Sequence, residues 1–310
     1  MQAEWRSSFP KEVLIEDEAL RDGLQNEKRM FSVDEKLALI SAVADAGVSR
    51  IQVGSFVHPK WVPQMANTDE LFSRLPPREG VTYSALVLNR AGLDRALKTG
   101  VKHLSISVSA SETHSRKNAN KSVAEALADI KPTIELALTA GIDVRAGIQS
   151  ALGCGYEGRI PLDRVLSIAR QYGEIGVREI NIADTAGLAN PKQVFEAVNV
   201  LRGVVPIGTK LSLHLHDTRG LGLANMYAGL LAGVATFDAA VGGLGGCPFI
   251  PAATGNISTE DAVFALQEMD VETGIDWAKL GKIANTLEQM LGRRLPSRMA
   301  HLNDAAEAAA

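Results

Sequence analysis

Between residues 13 and 241 the chain repeats one arrangement of apolar and polar positions. An amphipathic stretch ends in glycine, a β-branched residue follows, and an alternating apolar segment begins. The unit reads Ala46-Gly47-Val48 before Arg50–Ser55, Thr99-Gly100-Val101 before His103–Val108, and Ala140-Gly141-Ile142 before Asp143–Ile148. It returns as Ile175-Gly176-Val177 before Glu179–Ala183, and as Ala232-Gly233-Val234 before Thr236–Val241. Glycine just past a helix end supplies the left-handed residue that stops the helix. A short loop then feeds the next strand. With Val13–Asp17, Thr82–Leu88 and Lys210–His216 the pattern predicts eight strands. Helices are predicted over 34–46, 68–75, 91–98, 121–139, 161–174, 191–202 and 220–232.

Strand and helix alternating this regularly make parallel βαβ units. Eight of them at this length predict a (β/α)8 TIM barrel. The glycine-rich fingerprint of a doubly wound, dinucleotide-binding sheet does not follow the first strand. Beyond residue 257 lie further helical stretches, including Trp277–Leu291 with Leu280, Ile283, Leu287 and Leu291 at helical spacing. No Pro-, Ser- or Gly-rich linker sets them apart. The chain therefore reads as a single catalytic domain over 1–310, with a barrel over about 12–256 and a flanking C-terminal helical extension over about 257–303.

A hydrophobic content of 46% with 22% charged residues fits a soluble protein with a sizeable core. A net charge of −4 argues against a nucleic-acid partner. Two cysteines, Cys154 and Cys247, make no disulfide framework and suit a reducing compartment. Apolar runs are too short to span a bilayer, and the first residues lack the apolar core of a secretory signal. A cytoplasmic location with no membrane partner is expected. Cys154 is expected to pack against the barrel.

The strand Lys210–His216 carries the strongest chemical signal. Leu211, Leu213 and Leu215 alternate with polar positions, so His214 and His216 share the face opposite the leucines. Neutral imidazole is a common metal ligand, although the pair alone fits a metal-free hydrogen-bonded arrangement as well. Active sites of such barrels gather at the C-terminal ends of the strands. There the sequence places Arg21, Asp22 and Gln25 after the first strand, Gln52 and Ser55 on the second, and Arg145 to Gln149 on the fifth. Asp184 and Thr185 end the sixth strand, and the glycine run 242–246 with Cys247 and Asn256 follows the eighth. Asp22, His214, His216 and Asn256 offer mixed oxygen and nitrogen ligands, a set suited to Mg2+ or Mn2+ rather than to structural zinc. The glycine run reads equally as a lid or as a turn needing positive φ.

Arg21-Asp22-Gly23-Leu24-Gln25-Asn26-Glu27-Lys28 resembles the signature of the pyruvate-carboxyltransferase-like barrels, the DRE-TIM metallolyase superfamily. Ser55-Phe56-Val57-His58-Pro59-Lys60-Trp61-Val62-Pro63-Gln64-Met65 is similar to the 3-hydroxy-3-methylglutaryl-CoA lyase branch. So are Ala151-Leu152-Gly153-Cys154, Tyr156-Glu157-Gly158, His214-Leu215-His216-Asp217-Thr218, and Gly243–Pro248 with Gly255-Asn256 and Thr259-Glu260-Asp261. The resemblance runs from about residue 12 to about 295. It implies a divalent-metal-dependent retro-Claisen lyase acting on an acyl-CoA thioester, a homodimer, and a place in leucine catabolism. It implies Asp22, His214, His216 and Asn256 as ligands, Arg21 as the cation that stabilises the departing enolate, and Cys247 and Asp184 in proton transfer. Gln25, Gln52, Ser55, Arg145, Gly147, Thr185 and Lys28 are the implied substrate-binding positions, Lys28 toward CoA phosphates.

Three departures from the lyase pattern stand out. Gln52 replaces a glutamate, Gly147 replaces an aromatic residue and is expected to enlarge the pocket, and Ile250-Pro251-Ala252 replaces a small, polar loop. Together they predict retained chemistry on a different, bulkier acyl group. A Claisen-type condensing acyltransferase and an aldolase of the same superfamily are the alternative readings. A non-catalytic binder of a CoA ester, motivated only by Gln52, is the third.

Overall fold

The computed structural model describes residues 9–246 and 255–302. Eight parallel strands close in sequence order: β1 (Leu14–Asp17), β2 (Arg50–Ser55), β3 (Thr82–Val87), β4 (His103–Ser109), β5 (Asp143–Gln149), β6 (Glu179–Asp184), β7 (Lys210–Leu215) and β8 (Thr236–Ala239). β1 pairs with both β2 and β8, which completes the barrel. Helices Val33–Asp45, Thr68–Arg74, Arg90–Ala96, Val123–Thr139, Leu162–Ile175, Pro191–Arg202 and Gly222–Leu231 occupy the predicted intervals. The glycine ending each repeat has the predicted left-handed φ. At Gly47 (φ 98°) a side chain is excluded twice over, because a Cβ there would sit 2.2 Å from the Gly274 carbonyl oxygen.

The differences from the periodicity have local causes. Helix Glu112–Ala119 buries only His114 and Ser115, so it carries no apolar stripe to betray it; Ser111 caps it by accepting from the His114 N–H at 3.1 Å. β8 stops at Ala239, because the Val241 N–H turns away to donate to Asp17 Oδ2 at 2.9 Å. After β1 the chain makes a buried π-helical turn, Ala19–Gly23. Helices Thr259–Gln267 and Trp277–Leu291 pack on each other and on the turn after β8.

The apolar core lies between sheet and helices, where the outward residues of the strands, such as Ile51, Leu104, Ile180 and Leu213, are fully buried. The inside of the barrel is built differently. Barrel interiors are commonly filled by layers of branched apolar side chains, but here Glu16, Arg50, Ser84, Arg145, Asn181 and Asp238 point inward and are buried. Arg50 pairs with Glu16 at 2.8 Å and with Glu179 at 2.9 Å. Arg145 pairs with Glu16 at 2.9 Å, with Glu18 at 2.8 Å and with Asp238. Each buried charge thus has a partner, without which its desolvation would be prohibitive. Burial pushes the Glu16 carboxyl up, but Arg145 and Arg50 overcome it and hold it below the usual range. The site stands on this ionic column.

Candidate metal centre and active site

The end of β1, the π-helical turn, β7 and the bridge at Asn256 meet at the C-terminal mouth of the barrel. Asp22, at the end of the turn, and His214 and His216, on the inner face of β7, are all buried and bring ligand atoms within 4.8 Å of one another. The two imidazole Nε2 atoms lie 3.0 Å apart. Asn256 bridges to His216 through the backbone, and its Nδ2 donates to Asp22 Oδ2 at 2.9 Å and to the Leu244 carbonyl at 3.0 Å. Its Oδ1 is buried with no partner among the described residues. A buried carbonyl oxygen beside two converging imidazole nitrogens and a carboxylate is a donor set that fits a divalent cation.

The electrostatics agree. Burial, with the neighbouring His214 next, brings the His216 pKa down to about 4, which keeps it neutral and able to ligate. Burial also pulls His214 down, but its bond to Asp238 and the Glu18 charge outweigh that and raise it. The His214 Nδ1 lies 3.2 Å from Asp238 Oδ2 and 3.5 Å from Glu18 Oε2. This orients the ring with Nε2 toward the site, the arrangement that fixes the tautomer of a ligating histidine. Asp22 is pushed up by burial and brought below its ordinary value chiefly by Arg21, so it is held as a carboxylate.

Arg21 sits beside this group, 9% exposed. Its Nε donates to Gln52 Oε1, one terminal nitrogen to Asp22 Oδ1 and the other to Glu18 Oε2. Gln25 Nε2 donates to Asp22 Oδ1 at 3.1 Å. The glycine run closes over the same atoms. A Cβ on Gly245 (φ 125°) would lie 2.6 Å from Asn256 Nδ2 and 3.0 Å from Asp22 Oδ2, so only glycine lets the loop reach these side chains. Gly242 is anchored from below by Glu260, whose carboxylate accepts from its N–H at 3.0 and 3.2 Å. Asp17 ties the same turn to the helix at Thr259, accepting from the Thr259 hydroxyl at 2.7 Å.

Burial pushes Glu260 up to about 7. Between its ordinary value near 4.5 and 7 the unfolded chain has lost this proton and the folded protein keeps it, so stability falls as pH rises across that window. Glu260→Gln removes the titration. The wild-type stability measured by urea melts should decline relative to E260Q by roughly 1 kcal/mol per pH unit from about pH 5 to 7 and run parallel above it. Parallel curves throughout would mean that the buried carboxyl does not titrate in that range.

Other sequence-predicted residues are placed differently. Arg145 is not on the rim: as the third residue of β5 it lies inside the barrel, fully engaged with Glu16, Glu18 and Asp238. Gln52 lies beneath Arg21 and is fully buried, so it supports that guanidinium rather than facing the mouth. The Ser55 hydroxyl is turned to the Leu86 carbonyl at 3.3 Å. Gly147 does not open a pocket, because Ser107 fills the space; a Cβ there would sit 2.9 Å from the Ser107 Cβ. Asp184 is buried and accepts from the Leu188 and Ala189 N–H groups, and Thr185 Oγ1 accepts from the Ser150 N–H at 2.9 Å. Both shape the loops above β5 and β6. Lys28 is exposed beyond the turn. Cys154 is buried as expected. Cys247 and Ile250-Pro251-Ala252 lie outside the described residues.

The sequence reading missed Glu16, Glu18 and Asp238. Part of the signal was available: Glu16 and Glu18 alternate and so share a face, but Asp17 between them masks the pattern, and Asp238 stands alone on β8.

Comparison with known proteins decides the family. The HMGL-like family model matches residues 12–287. The chain belongs to the HMGL-like family. A hydroxymethylglutaryl-CoA lyase of Bacillus subtilis is 40% identical over 290 residues, covering 94% of this chain and 97% of the relative. A 3-hydroxy-3-isohexenylglutaryl-CoA/hydroxy-methylglutaryl-CoA lyase of Pseudomonas aeruginosa is 39% identical over 293 residues, covering 94% and 97%. The crystal structure of an HMG-CoA lyase from Acinetobacter baumannii, in complex with coenzyme A and 3-methylmalate, superposes with a TM-score of 0.89 at 36% identity, covering 94% of this chain and 95% of that one. The HMGL-like chain described here is thus a carbon–carbon lyase by family.

Proposed function

We propose that the protein cleaves 3-hydroxy-3-methylglutaryl-CoA, or a closely related 3-hydroxyacyl-CoA, to acetyl-CoA and a keto acid. The observation that carries this reading is the convergence of Asp22, His214, His216 and the unpartnered Asn256 Oδ1 beside the Arg21 guanidinium. Asp22, His214, His216 and Asn256 would hold the cation, Mg2+ or Mn2+ by donor chemistry, which when bound polarises the hydroxyl and the emerging carbonyl as a Lewis acid. The hydroxyl gives up its proton, the C2–C3 bond breaks, the C–O bond becomes a carbonyl, and the bonding pair passes to the thioester as an enolate.

Arg21 meets that charge. Three of its N–H groups are tied down by Gln52, Asp22 and Glu18, which fixes the direction of the remaining donors before charge develops. Protonation of the enolate carbon completes acetyl-CoA. Cys247, next in sequence to Gly246, is the proposed donor. Asp184 is the proposed acid/base group, its carboxyl brought up to about 6 by burial and so suited to exchange near neutral pH. Gln25 and Thr185, at the mouth, are proposed to orient the acyl group, and Lys28 to meet CoA phosphates. The enzyme is proposed to act in leucine catabolism in the cytoplasm, as a homodimer. No helix of the described residues is long and apolar enough to cross a membrane.

Purified protein is tested with Mg2+ or Mn2+ on 3-hydroxy-3-methylglutaryl-CoA and on its isohexenyl analogue. Acetyl-CoA release from either, abolished by chelation and restored by the metal, is expected. The ratio of kcat/KM on the two thioesters reads the acyl preference. Metal binding without turnover of either thioester would overturn the reading in favour of an aldolase or condensing reaction, or of a CoA-ester binder.

A further inference from the structure

Glu18 is a carboxylate at the mouth of the barrel that lies outside the sequence motifs, and its contact with Arg21 reaches further than the chemistry above requires. It is fully buried at the end of β1. Its Oε2 accepts from Arg21, and its Oε1 accepts from Gln52 Nε2 at 2.9 Å and from Arg145 at 2.8 Å. Gln52 is bracketed: its amide nitrogen donates to Glu18 and, at 3.1 Å, to Glu16, while its carbonyl accepts from Arg21 Nε. An amide is the side chain this position requires, since only an amide can donate to two carboxylates and accept from a guanidinium at once. A glutamate at 52 would place a third negative charge within hydrogen-bond distance of two others.

We infer that Glu18 is the positioning carboxylate of Arg21, supplying from the end of β1 the carboxylate acceptor that Gln52 does not supply on β2. Asp22 also touches Arg21, but in the proposed function, on which this inference rests, its charge is shared with the cation. Burial pushes the Glu18 carboxyl up and Arg21 and Arg145 pull it down, donating to its two oxygens, so Glu18 remains as the fixed acceptor against the guanidinium. Its second anchor, Arg145, is locked to Asp238 and Glu16, so the direction of Arg21 is set by the ionic column below. Glu18, His214 and Asp238 also lie close enough to hold a metal. A divalent ion there would face the fixed guanidiniums of Arg21 and Arg145, already bonded to these carboxylates, so the group is a cation-neutralised support rather than a second metal centre.

The test compares wild type, Glu18→Gln, Gln52→Glu and the double variant E18Q/Q52E, with E18D as the conservative replacement. E18Q is expected to lower kcat by about 10- to 100-fold with little change in KM, the usual loss on removing a supporting partner of a site group. Q52E crowds three carboxylates and should also lose activity. The double variant moves the charge across to β2, still against Arg21, and is expected to recover at least about tenfold over E18Q, because a nearby carboxylate restores the charge-assisted bond. E18D should recover part. A double variant no better than E18Q, or an E18Q enzyme with unchanged kcat, would overturn the assignment. Should the wild type itself turn over no thioester, the function reading fails alone. The inference is then read from crystal structures of the same proteins: Arg21 displaced from its place in E18Q and returned in the double variant supports it, and Arg21 unmoved in E18Q overturns it.

Discussion

His216→Ala is expected to abolish divalent-metal binding and to cut thioester cleavage by roughly a thousandfold or more, with the barrel still folded. The loss corresponds to the several kcal/mol of charge stabilisation that a bound cation supplies, at about 1.4 kcal/mol per tenfold. His216 is the cleanest probe because it does only this. Among the described residues its Nδ1 has no partner and its ring meets the ionic column through His214, and its neutral state costs no buried charge when removed. His214→Ala is a harsher variant, since it also strips Asp238 and Glu18 of a neighbour. Titration calorimetry with Mn2+ and acetyl-CoA release measured on the same preparation check the prediction together. Full activity in H216A with metal affinity unchanged would remove the imidazole pair from the chemistry.

Replacing Arg21 by methionine should lower kcat by about 100- to 1000-fold, the loss typical when one preorganised donor to a developing oxyanion is removed. KM for the thioester should move much less, because the negative charge exists only after the C2–C3 bond has begun to break. Lysine should rescue poorly. Its ammonium can carry the charge but cannot reach Gln52, Asp22 and Glu18 in one plane while leaving donors for substrate. Steady-state kinetics of R21M and R21K at saturating metal give the answer. Equal falls in kcat for both, with KM constant, support oxyanion stabilisation; a rise in KM alone would assign Arg21 to ground-state binding.

The repeat of amphipathic stretch, glycine and alternating segment determined the barrel. Each element is specified within its own dozen or so residues: apolar period 3.6 for the helices, alternation for the strands, and glycine where the backbone must turn left-handed. The His-x-His spacing likewise determined that His214 and His216 share a face. Local periodicity failed where a segment had no apolar stripe, as in Glu112–Ala119, or where a distant group diverted the backbone, as Asp17 does at Val241.

What the tertiary structure alone decided is the use of the charges inside the barrel. Nothing within β5 says that Arg145 belongs to the column and not to the rim; its partners Glu16, Glu18 and Asp238 come from β1 and β8, and only closure of the barrel brings them together. The same holds for Gln52, whose amide reads as a lost acid until Glu18 and Glu16 are seen on either side of it. Gly147 reads as an empty space until Ser107 is seen to fill it. A side chain's face follows from its strand, so sequence determines it. Its partner across the barrel depends on the stagger of eight strands, which is set by the packing of the whole sheet.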